Sequence, residues 1–258
     1  MGRVRLLGRM LRIVMVVGLG LAMAATVRLL EWSRISDSGE RRLRWSQAFM
    51  IRLSDALPFT VTVHGQASRE PMLWVSNHVS WADIPLLGML APLAFLSKAD
   101  VRSWPVAGWL AVQAGTLFIR RGAGDSQLTR RQMTLQLQKG APVLIFPEGT
   151  TTDGRHLRTF HGRLLASAQD AGVALQPIAI RYVRDGRIDG VAPFIGDDDL
   201  LSHLMRLLGQ NRAQVHIYLL APIATTGKER AALAHECQCA VHAALFGEAP
   251  AEVARQAA

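Results

Sequence analysis

The sequence predicts an α/β domain, with helices flanking a mixed β-sheet, preceded by an N-terminal pair of helices. A folded chain is expected because 50% of its 258 residues are hydrophobic and only 19% are charged, whereas disordered chains combine low hydrophobicity with high charge. From Phe59 onward, short apolar runs alternate with longer amphipathic ones, which is the pattern of an α/β domain. Before Phe59 the chain is apolar and rich in arginine, a combination typical of helices that associate with a membrane.

The first predicted element is an apolar helix with a basic start. Arginines at positions 3, 5, 9 and 12 precede an uncharged run of 15 residues from Ile13 to Val27. At about 1.5 Å per residue the run covers roughly 22 Å, less than the ~30 Å of a hydrocarbon core, although the long side chains of Arg12 and Arg28 can extend it. We interpret it as a membrane anchor; a signal peptide cleaved after Ala24 and an ordinary packed helix are the alternatives.

The second predicted helix covers residues 40–57 and is basic and amphipathic. Such a helix is more typical of a membrane surface than of an exported chain, and its apolar positions are Leu43, Phe49, Met50, Leu53 and Leu57. Pro58 then ends it, because proline cannot continue a helix. Residues 1–57 hold ten arginines against four acidic residues, a net charge of +6, and the other 201 residues add only +3.

The orientation of this segment in a membrane is left open by the sequence. The positive-inside rule places Arg3 to Arg12 in the cytoplasm. A single span would then carry the main domain to the opposite side. A cytosolic substrate therefore requires a first helix that dips into the membrane and returns, or one that lies in the interface.

The remaining elements alternate along the chain. Strands are predicted where apolar runs are bounded by turn residues, at 59–63, 72–76, 93–96, 116–119, 143–146, 175–180 and 215–220. Helices are predicted for the longer amphipathic stretches, at 80–90, 105–114, 126–139, 163–171, 198–208 and 228–245. The chain is thus divided into anchoring helices (1–57), an α/β domain (58–225) and a C-terminal helix and tail (226–258).

Several common kinds of site are absent from the sequence. There is no G-x-S-x-G elbow, Walker loop, H-E-x-x-H pair or G-x-G-x-x-G after a strand. Cys237 and Cys239 lie two residues apart on a predicted helix, so they face different directions and we interpret them as packing residues rather than metal ligands. The small net charge of the main domain argues against a nucleic-acid partner.

The candidate for catalysis is the string N-H-V-S-W-A-D at 77–83. On a continuous helix His78 and Asp83 would point about 140° apart, but they can meet if His78 lies on the preceding turn. Imidazole is the usual general base near neutral pH, and a neighbouring carboxylate fixes its tautomer. A capping box, with Ser80 as N-cap and Asp83 in the first turn, is the structural alternative.

Two further strings follow predicted strands, and neither is specific alone. F-P-E-G-T at 146–150 holds Glu148 in a tight turn, and this turn could simply join a strand to a loop. G-T-L-F-I-R-R at 115–121 places Arg120 and Arg121 at the end of a strand. Guanidinium groups there suit a phosphate or a carboxylate, which they bind in bidentate fashion.

Together and in this order, the strings resemble the glycerolipid acyltransferases of the 1-acyl-sn-glycerol-3-phosphate acyltransferase type. The family pattern N-H-x-x-x-x-D matches Asn77, His78 and Asp83, and G-x-x-F-I-x-R matches 115–121. F-P-E-G-T matches 146–150, and an apolar stretch with proline matches 175–179. The resemblance covers about residues 60–222, and the set of four patterns is far more specific than H-x-x-x-x-D alone.

The resemblance implies transfer of a fatty acyl group from acyl-CoA or acyl-carrier protein to a lysophospholipid hydroxyl, giving phosphatidic acid from 1-acyl-sn-glycerol-3-phosphate. His78 would be the base and Asp83 would orient it, without a covalent enzyme intermediate, a cofactor or a metal. Residues expected to hold the acceptor are Arg121, Glu148, Gly149 and Thr150, with Phe118 and Arg120. The helical pair would dip into one leaflet of a bacterial-type inner membrane, with the active site on the cytoplasmic face.

One position departs from the family pattern. Many members that use lysophosphatidic acid carry arginine directly after F-P-E-G-T, where this chain has Thr151 in the string T-T-D-G. A phosphate monoester loses a bidentate partner there unless Lys98, Arg155 or Arg158 replaces it. The string also resembles the branch that acylates lyso-ornithine lipid, an aminolipid without phosphate. We expect the phosphate acceptor, with lyso-ornithine lipid as the alternative and a non-catalytic membrane-binding protein of the same fold as the rival.

Overall fold

A computed structural model describes residues 2–32, 39–68, 70–120 and 126–247. The α-helices of these residues are α1 (Gly2–Trp32), α2 (Gly39–Ala56), α3 (Asp83–Gly88), α4 (Ala107–Gln113), α5 (Ser126–Gln138), α6 (Ala166–Ala171), α7 (Leu200–Gly209) and α8 (Arg230–Phe246), with a short 3-10 helix at Ala99–Ser103. Their strands are β1 (Phe59–His64), β2 (Leu73–Ser76), β3 (Ala94–Lys98), β4 (Leu117–Ile119), β5 (Val143–Ile145), β6 (Leu175–Arg184), β7 (Arg187–Ile188) and β8 (Ala213–Leu219).

The strands form one mixed sheet, in the order β1-β8-β6-β2-β5-β3-β4, with β7 paired to β6. The strands from β6 to β4 are parallel, β8 is antiparallel to β6, and β1 is parallel to β8. The predicted α/β class with a mixed, helix-flanked sheet is therefore confirmed. Because β2, β5, β3 and β4 are parallel, the loops that follow them all leave from one edge of the sheet.

Two helical layers cover the sheet and bury both of its faces. Trp74 points into the core shared with α1, α2, α3 and α7, whereas its neighbours Leu73 and Val75 point into the core shared with α5, α6 and α8. Successive side chains of a strand alternate between faces. Double burial explains why the central strands are continuous apolar runs rather than alternating ones.

The first two helices pack against each other and against the main domain. Helix α1 contacts α2, α4 and α7. The Arg5 guanidinium donates to Asn211 Oδ1 at 2.7 Å and to Gly209 O at 3.0 Å, and Arg9 donates to Leu208 O at 2.7 Å. These arginines satisfy carbonyls at the end of α7, where a helix has no partners of its own and carries partial negative charge.

The opposite face of α1 is apolar and exposed. Its large exposed side chains recur at helical spacing, at Val4, Leu7, Leu11, Val14 and Leu29. Among the described helices, α1 alone is long and apolar enough to cross a membrane, with a mean hydropathy of 2.2 over Val4–Leu30. This face is therefore available to a lipid phase rather than to the protein core.

Some element boundaries differ from the sequence predictions. A helix was expected from residue 80, but α3 begins at Asp83, because the Asp83 carboxylate accepts the backbone N–H groups of Val79 and Ser80 and holds them in a turn. The helix expected from residue 163 begins at Ala166, after a turn at 162–165. The 3-10 helix and the two-residue β7 were not predicted, since neither contains enough residues for a periodic pattern.

Candidate active site

The candidate site lies at the edge of the sheet where the parallel strands end. His78 follows β2, Phe146 to Thr150 follow β5, Lys98 ends β3 and Arg120 follows β4. A cleft of about 1340 Å³ runs along this edge and is lined by His78, Phe146, Gly149 and Thr150 among others. Ligands of open α/β sheets bind at this kind of position, outside the carboxyl ends of the strands.

His78 and Asp83 meet as the first sequence string suggested. His78 Nδ1 lies 2.8 Å from Asp83 Oδ2. An ionised carboxylate only accepts hydrogen bonds, so Nδ1 carries the proton and Nε2 keeps its lone pair. No described residue is bonded to Nε2, and the His78 side chain is 18% exposed in the cleft. The geometry is that of a general base with one nitrogen directed by a carboxylate.

The Asp83 carboxylate is fully buried, and both of its oxygens accept hydrogen bonds. Besides His78, it accepts the backbone N–H groups of Val79 at 2.7 Å and Ser80 at 3.0 Å, and the Tyr182 hydroxyl donates to its other oxygen at 2.5 Å. Burial, followed by the charge of Asp83, raises the pKa of Tyr182 well above 10, so its hydroxyl stays protonated and donating. Four donors therefore hold this carboxylate in place as an acceptor.

The structure contains only one of the two hydrogen bonds of a capping box. Asp83 accepts the backbone N–H of Ser80, as the acid of a capping box would. The reciprocal bond is missing, because Ser80 Oγ is buried without a hydrogen-bond partner. The carboxylate thus both shapes the start of α3 and holds the imidazole, and these two roles share one oxygen.

Glu148 positions the loops around His78. Its Oε1 accepts the backbone N–H of His78 at 2.8 Å, and its Oε2 accepts the backbone N–H of Arg158 at 2.8 Å. Burial raises the pKa of Glu148, and the two backbone donors, Arg158 first, partly oppose that rise. The side chain is buried beside the cleft and both oxygens are occupied, so direct contact with an acceptor stays a prediction.

The backbone of His78 is held on both sides. Asn77 exchanges two hydrogen bonds with the backbone of Ile180 on β6, at 3.0 and 2.8 Å. The N–H of Thr152 donates to the carbonyl of His78 at 2.8 Å. The Phe146 ring stacks on the imidazole with a centroid separation of 3.9 Å and an angle of 12°, which fixes the ring plane.

The remaining predicted site residues are placed unevenly. Arg120, Gly149 and Thr150 line the cleft, whereas Phe118 is half-buried in β4 outside that lining. Arg121 lies outside the described residues. The acceptor-binding roles of all these residues stay predictions.

Tyr182 belongs to the site, although the sequence patterns did not predict it. Tyr182 lies 99 residues after Asp83, beyond the last family pattern. A signal was present, because Tyr182 shares its strand face with Ile178 and Ile180 in the core on the side of α3. Alternation along β6 could therefore have placed a buried hydroxyl on the side of the sheet that holds Asp83.

The walls of the cleft differ in chemistry. One wall, here named the apolar wing, is formed by α1 and α2 and includes Ile13, Val17, Met23, Val27, Trp45, Phe49 and Leu53. Five basic residues also line the cleft, and only the first of them lies on a helix of the apolar wing: Arg42, Lys98, Arg120, Arg163 and Arg230. None of the described lining residues is acidic. A base beside a long apolar surface can deprotonate a hydroxyl carried by a lipid.

Comparisons with known proteins agree with this chemistry. A family described as acyltransferase matches residues 60–181. The chain is 60% identical over 258 residues to a lyso-ornithine lipid O-acyltransferase of Pseudomonas aeruginosa, covering all of both chains. It is 30% identical over 198 residues to a 1-acyl-sn-glycerol-3-phosphate acyltransferase of Neisseria meningitidis serogroup B, covering 75% of this chain and 78% of the relative. The crystal structure of the 1-acyl-sn-glycerophosphate (LPA) acyltransferase PlsC from Thermotoga maritima has the same fold, with a TM-score of 0.60, 21% identity and coverage of 94% and 100%.

Proposed function

The chain belongs to the glycerolipid acyltransferase family and is an O-acyltransferase of the lysophospholipid type, and we propose that its acceptor is a lyso-ornithine lipid. The observation that carries the proposal is the 60% identity, over the whole of both chains, to a lyso-ornithine lipid O-acyltransferase. The relative named for 1-acyl-sn-glycerol-3-phosphate shares only 30%. The acceptor first expected, lysophosphatidic acid, is therefore replaced by the alternative.

The surroundings of Thr151 support the change of acceptor. Its hydroxyl donates to the carbonyl of Phe194, whose N–H donates to the carbonyl of Val79 at 3.0 Å. Thr151 is thus bonded to the protein at the position where many users of lysophosphatidic acid carry a cation. Of the cations considered as replacements, Lys98 lines the cleft, whereas Arg155 and Arg158 lie outside its lining. Lys98 and Arg120 suit a single carboxylate such as that of an ornithine headgroup.

The transfer step follows from the geometry at His78. Nε2 takes the proton of the acceptor hydroxyl while the hydroxyl oxygen attacks the carbonyl carbon of the acyl thioester. Collapse of the tetrahedral intermediate breaks the C–S bond, and the imidazolium returns the proton to the leaving thiolate. Asp83 stabilises the imidazolium through Nδ1 and keeps its own charge throughout. A base in this position contributes about 10²–10⁴ in rate.

The donor is a thioester of CoA or of acyl-carrier protein, and this transfer needs no other cofactor and no metal. The lipid chains lie along the apolar wing, since α1 and α2 offer its apolar surface directly beside His78. The protein is membrane-associated, and we place the active site on the cytoplasmic face, where both donors occur. The N-terminal pair enters one leaflet and returns, because Arg5 and Arg9 attach the start of α1 to the same domain that α2 leads into.

Acyl transfer by membranes that carry the full chain tests the acceptor. Lyso-ornithine lipid and lysophosphatidic acid are supplied in equal amounts with one acyl donor, and the products are identified by mass. Ornithine lipid is the expected product, and His78→Ala is expected to lower its formation by about 10²–10⁴. Phosphatidic acid as the main product would restore the first expectation.

A matched variant separates the base from the fold. His156→Ala removes an exposed histidine from the loop that follows Thr151, so wild-type rates are expected for it. Product formation that survives in His78→Ala, with normal membrane binding, would support a non-catalytic role for this site.

A further inference from the structure

The cleft contains more cations than the proposed acceptor can use. An ornithine headgroup offers one carboxylate, yet five basic and no acidic side chains line the described cleft. We infer that Arg163 and Arg230 bind the phosphate of the phosphopantetheine arm that carries the acyl thioester. The inference rests on the proposed donor class, because CoA and acyl-carrier protein share this arm.

The two arginines are neighbours on the layer of the sheet opposite α1 and α2. Arg163 precedes α6, and Arg230 is the first residue of α8. Gly162 brings them together, since an added Cβ there would lie 2.6 Å from the carbonyl oxygen of Arg230. Any other residue at 162 would separate the segments, so both guanidinium groups start from adjoining backbone.

A short series of contacts connects this pair to the base. The imidazole of His78 stacks on Phe146 at 3.9 Å. The next residue, Pro147, accepts the backbone N–H of His161 at 3.1 Å, and Gly162 and Arg163 follow directly. A thioester at His78 therefore has the cationic pair on one side and the apolar wing on the other. Both donors require this separation, because a flexible arm joins their thioester to a phosphate.

Both guanidinium groups are available to a ligand. Arg163 and Arg230 are exposed, and neither forms an ion pair with a carboxylate of the described residues. By contrast, Arg130 pairs with Asp170 at 2.5 Å and Arg206 with Asp198 at 2.7 Å. Two arginines that leave adjoining backbone, without an ion pair to a described carboxylate, suit a phosphate, which guanidinium groups bind in planar, bidentate fashion.

The other cations of the cleft belong to a different place. Lys98 and Arg120 lie at the ends of adjacent strands, with Lys98 directly opposite Ile119 in the register of β3 and β4. β3 and β4 are the last two strands in the order of the sheet, whereas α8 packs against β6, on the other side of β2 and β5. One cleft thus has two cationic ends, and the acceptor carboxylate and the donor phosphate can bind at the same time.

Steady-state kinetics of the full chain in detergent micelles test the assignment. The variants are Arg163→Gln, Arg230→Gln and the double variant, with the lysolipid that the wild type acylates fastest. We expect each single change to raise the KM for the acyl donor about 10-fold or more, while kcat and the KM for the acceptor stay within about 2-fold. An unchanged donor KM, or a raised acceptor KM, would overturn the assignment.

A pair of donors isolates the phosphate itself. Wild type is expected to prefer S-acyl-4′-phosphopantetheine over S-acyl-pantetheine, and the double variant is expected to lose that preference. A preference that persists in the double variant places the phosphate elsewhere. The control is Lys139→Gln, which removes one exposed positive charge after α5. Lys139 lies near the start of β5, whereas the cleft lies where the parallel strands end.

Two donor sources are compared in the same way. A similar rise in KM for acyl-CoA and for acyl-carrier protein supports recognition of the shared phosphopantetheine. A rise with the carrier protein alone would instead identify a protein-docking surface, and one with acyl-CoA alone would identify the nucleotide phosphates; either result overturns the assignment. Binding of CoA measured without acceptor separates this inference from the proposed acceptor, because it requires no turnover.

Discussion

At the scale of single residues, the proposed base is defined by its surroundings more than by its own identity. His78 is contacted by Asp83 and Phe146 at its ring and by Glu148 and Thr152 at its backbone. These contacts come from two segments of the chain, 77–83 and 146–152, and together they fix the orientation of the imidazole. A base held in this way loses little freedom when the substrate binds.

Asp83→Asn and Tyr182→Phe test this arrangement. An amide at 83 can donate to Nδ1 and so favours the wrong tautomer, and we expect kcat to fall by about 10²–10⁴. Tyr182→Phe removes one donor to Asp83, and we expect kcat to fall about 10-fold and the free energy of unfolding to fall by about 1–3 kcal/mol. Kinetics and chemical denaturation of the purified variants measure both effects.

Tyr218→Phe is the matched control for the tyrosine change. Tyr218 lies on β8 and stacks on His64, with a centroid separation of 4.5 Å, away from the cleft lining. Its loss of a hydroxyl is expected to leave kcat unchanged. Equal losses in both tyrosine variants would mean that Tyr182 acts only through general stability.

The sequence could predict the contact between neighbouring residues of this site, but not the contacts between residues that are distant in the chain. His78 and Asp83 are five residues apart and follow one strand, so their pairing depends on a single turn. Alternation along β6 could place the Tyr182 hydroxyl on the correct face of the sheet, but not in contact with Asp83. That contact, like the bond from the Arg158 N–H to Glu148, depends on strand order and loop path, which a pattern of apolar residues does not specify. The orphan hydroxyl of Ser80 could not be foreseen for the same reason.

At the scale of elements, the contact between α1 and α2 shapes the apolar wing. Gly20 faces the ring of Phe49, and an added Cβ there would overlap the ring, whereas Gly18 on the same helix faces open space. Strand positions were predictable because double burial makes each central strand a continuous apolar run. This helix contact was not, because glycine adds nothing to an apolar pattern.

Gly20→Leu is expected to push the Phe49 ring into the wing and shorten it. We expect transfer of long acyl chains to fall about 10-fold relative to short ones, since each methylene left without apolar surface loses about 0.8 kcal/mol and two such methylenes account for roughly that factor. Rates with a series of donor chain lengths measure the effect. Gly18→Leu makes the same change on the open face of α1, and an equal loss there would contradict the expectation.

A contact between the start of α3 and helix α7 makes the stability of the fold depend on pH. Trp81 Nε1 donates to His203 Nδ1 at 2.9 Å, and His203 Nε2 donates to Pro193 O at 3.0 Å, so this buried imidazole is neutral. Burial lowers the pKa of His203 below its usual 6.5. The unfolded chain therefore takes up a proton near pH 6.5 while the folded chain does not, and the stability present above pH 6.5 is lost as the pH falls below it.

Thermal unfolding of wild type and His203→Gln between pH 7.5 and 5.5 checks this sign. Protonation removes the bond from Trp81, worth about 1 kcal/mol, so the wild-type Tm is expected to fall by roughly 2–4 °C more than that of the variant. His156→Gln, an exposed histidine, is expected to follow the wild type. A steeper fall in His203→Gln would show that the ring is charged in the folded chain.

At the scale of the whole molecule, the contacts of α1 support the proposed way in which the chain meets the membrane. Its beginning is bonded to the end of α7, its exposed face is apolar, and α2 leads back to β1. The charge pattern alone left a spanning helix, a returning pair and an interfacial helix open, and the family resemblance implied the returning pair. The choice depends on contacts between residues about 200 positions apart, which no local pattern contains.

Protease protection of tagged chains tests the topology. Tags on the N-terminus and the C-terminus are both expected to be digested in inverted inner-membrane vesicles and both protected in right-side-out vesicles. A spanning α1 would instead expose one tag in each preparation. An Arg5→Ala and Arg9→Ala double variant is expected to unfold at a lower temperature but to keep this topology, because α1 also packs on α2, α4 and α7.

The same arginine contacts determine the order in which the protein can be completed during synthesis. The Arg5 guanidinium donates to Asn211, 206 residues later. Strand β1 likewise pairs with β8, in a register that starts with Phe59 opposite Ala213. At about 5–20 residues per second, roughly 10–40 s pass between the synthesis of α1 and of its partners. During that interval α1 can pack on α2 and α4 but lacks its partners on and after α7, so the bonds of Arg5 and Arg9 form late. Attachment of the first helix to the main domain is therefore among the last contacts that the growing chain can form.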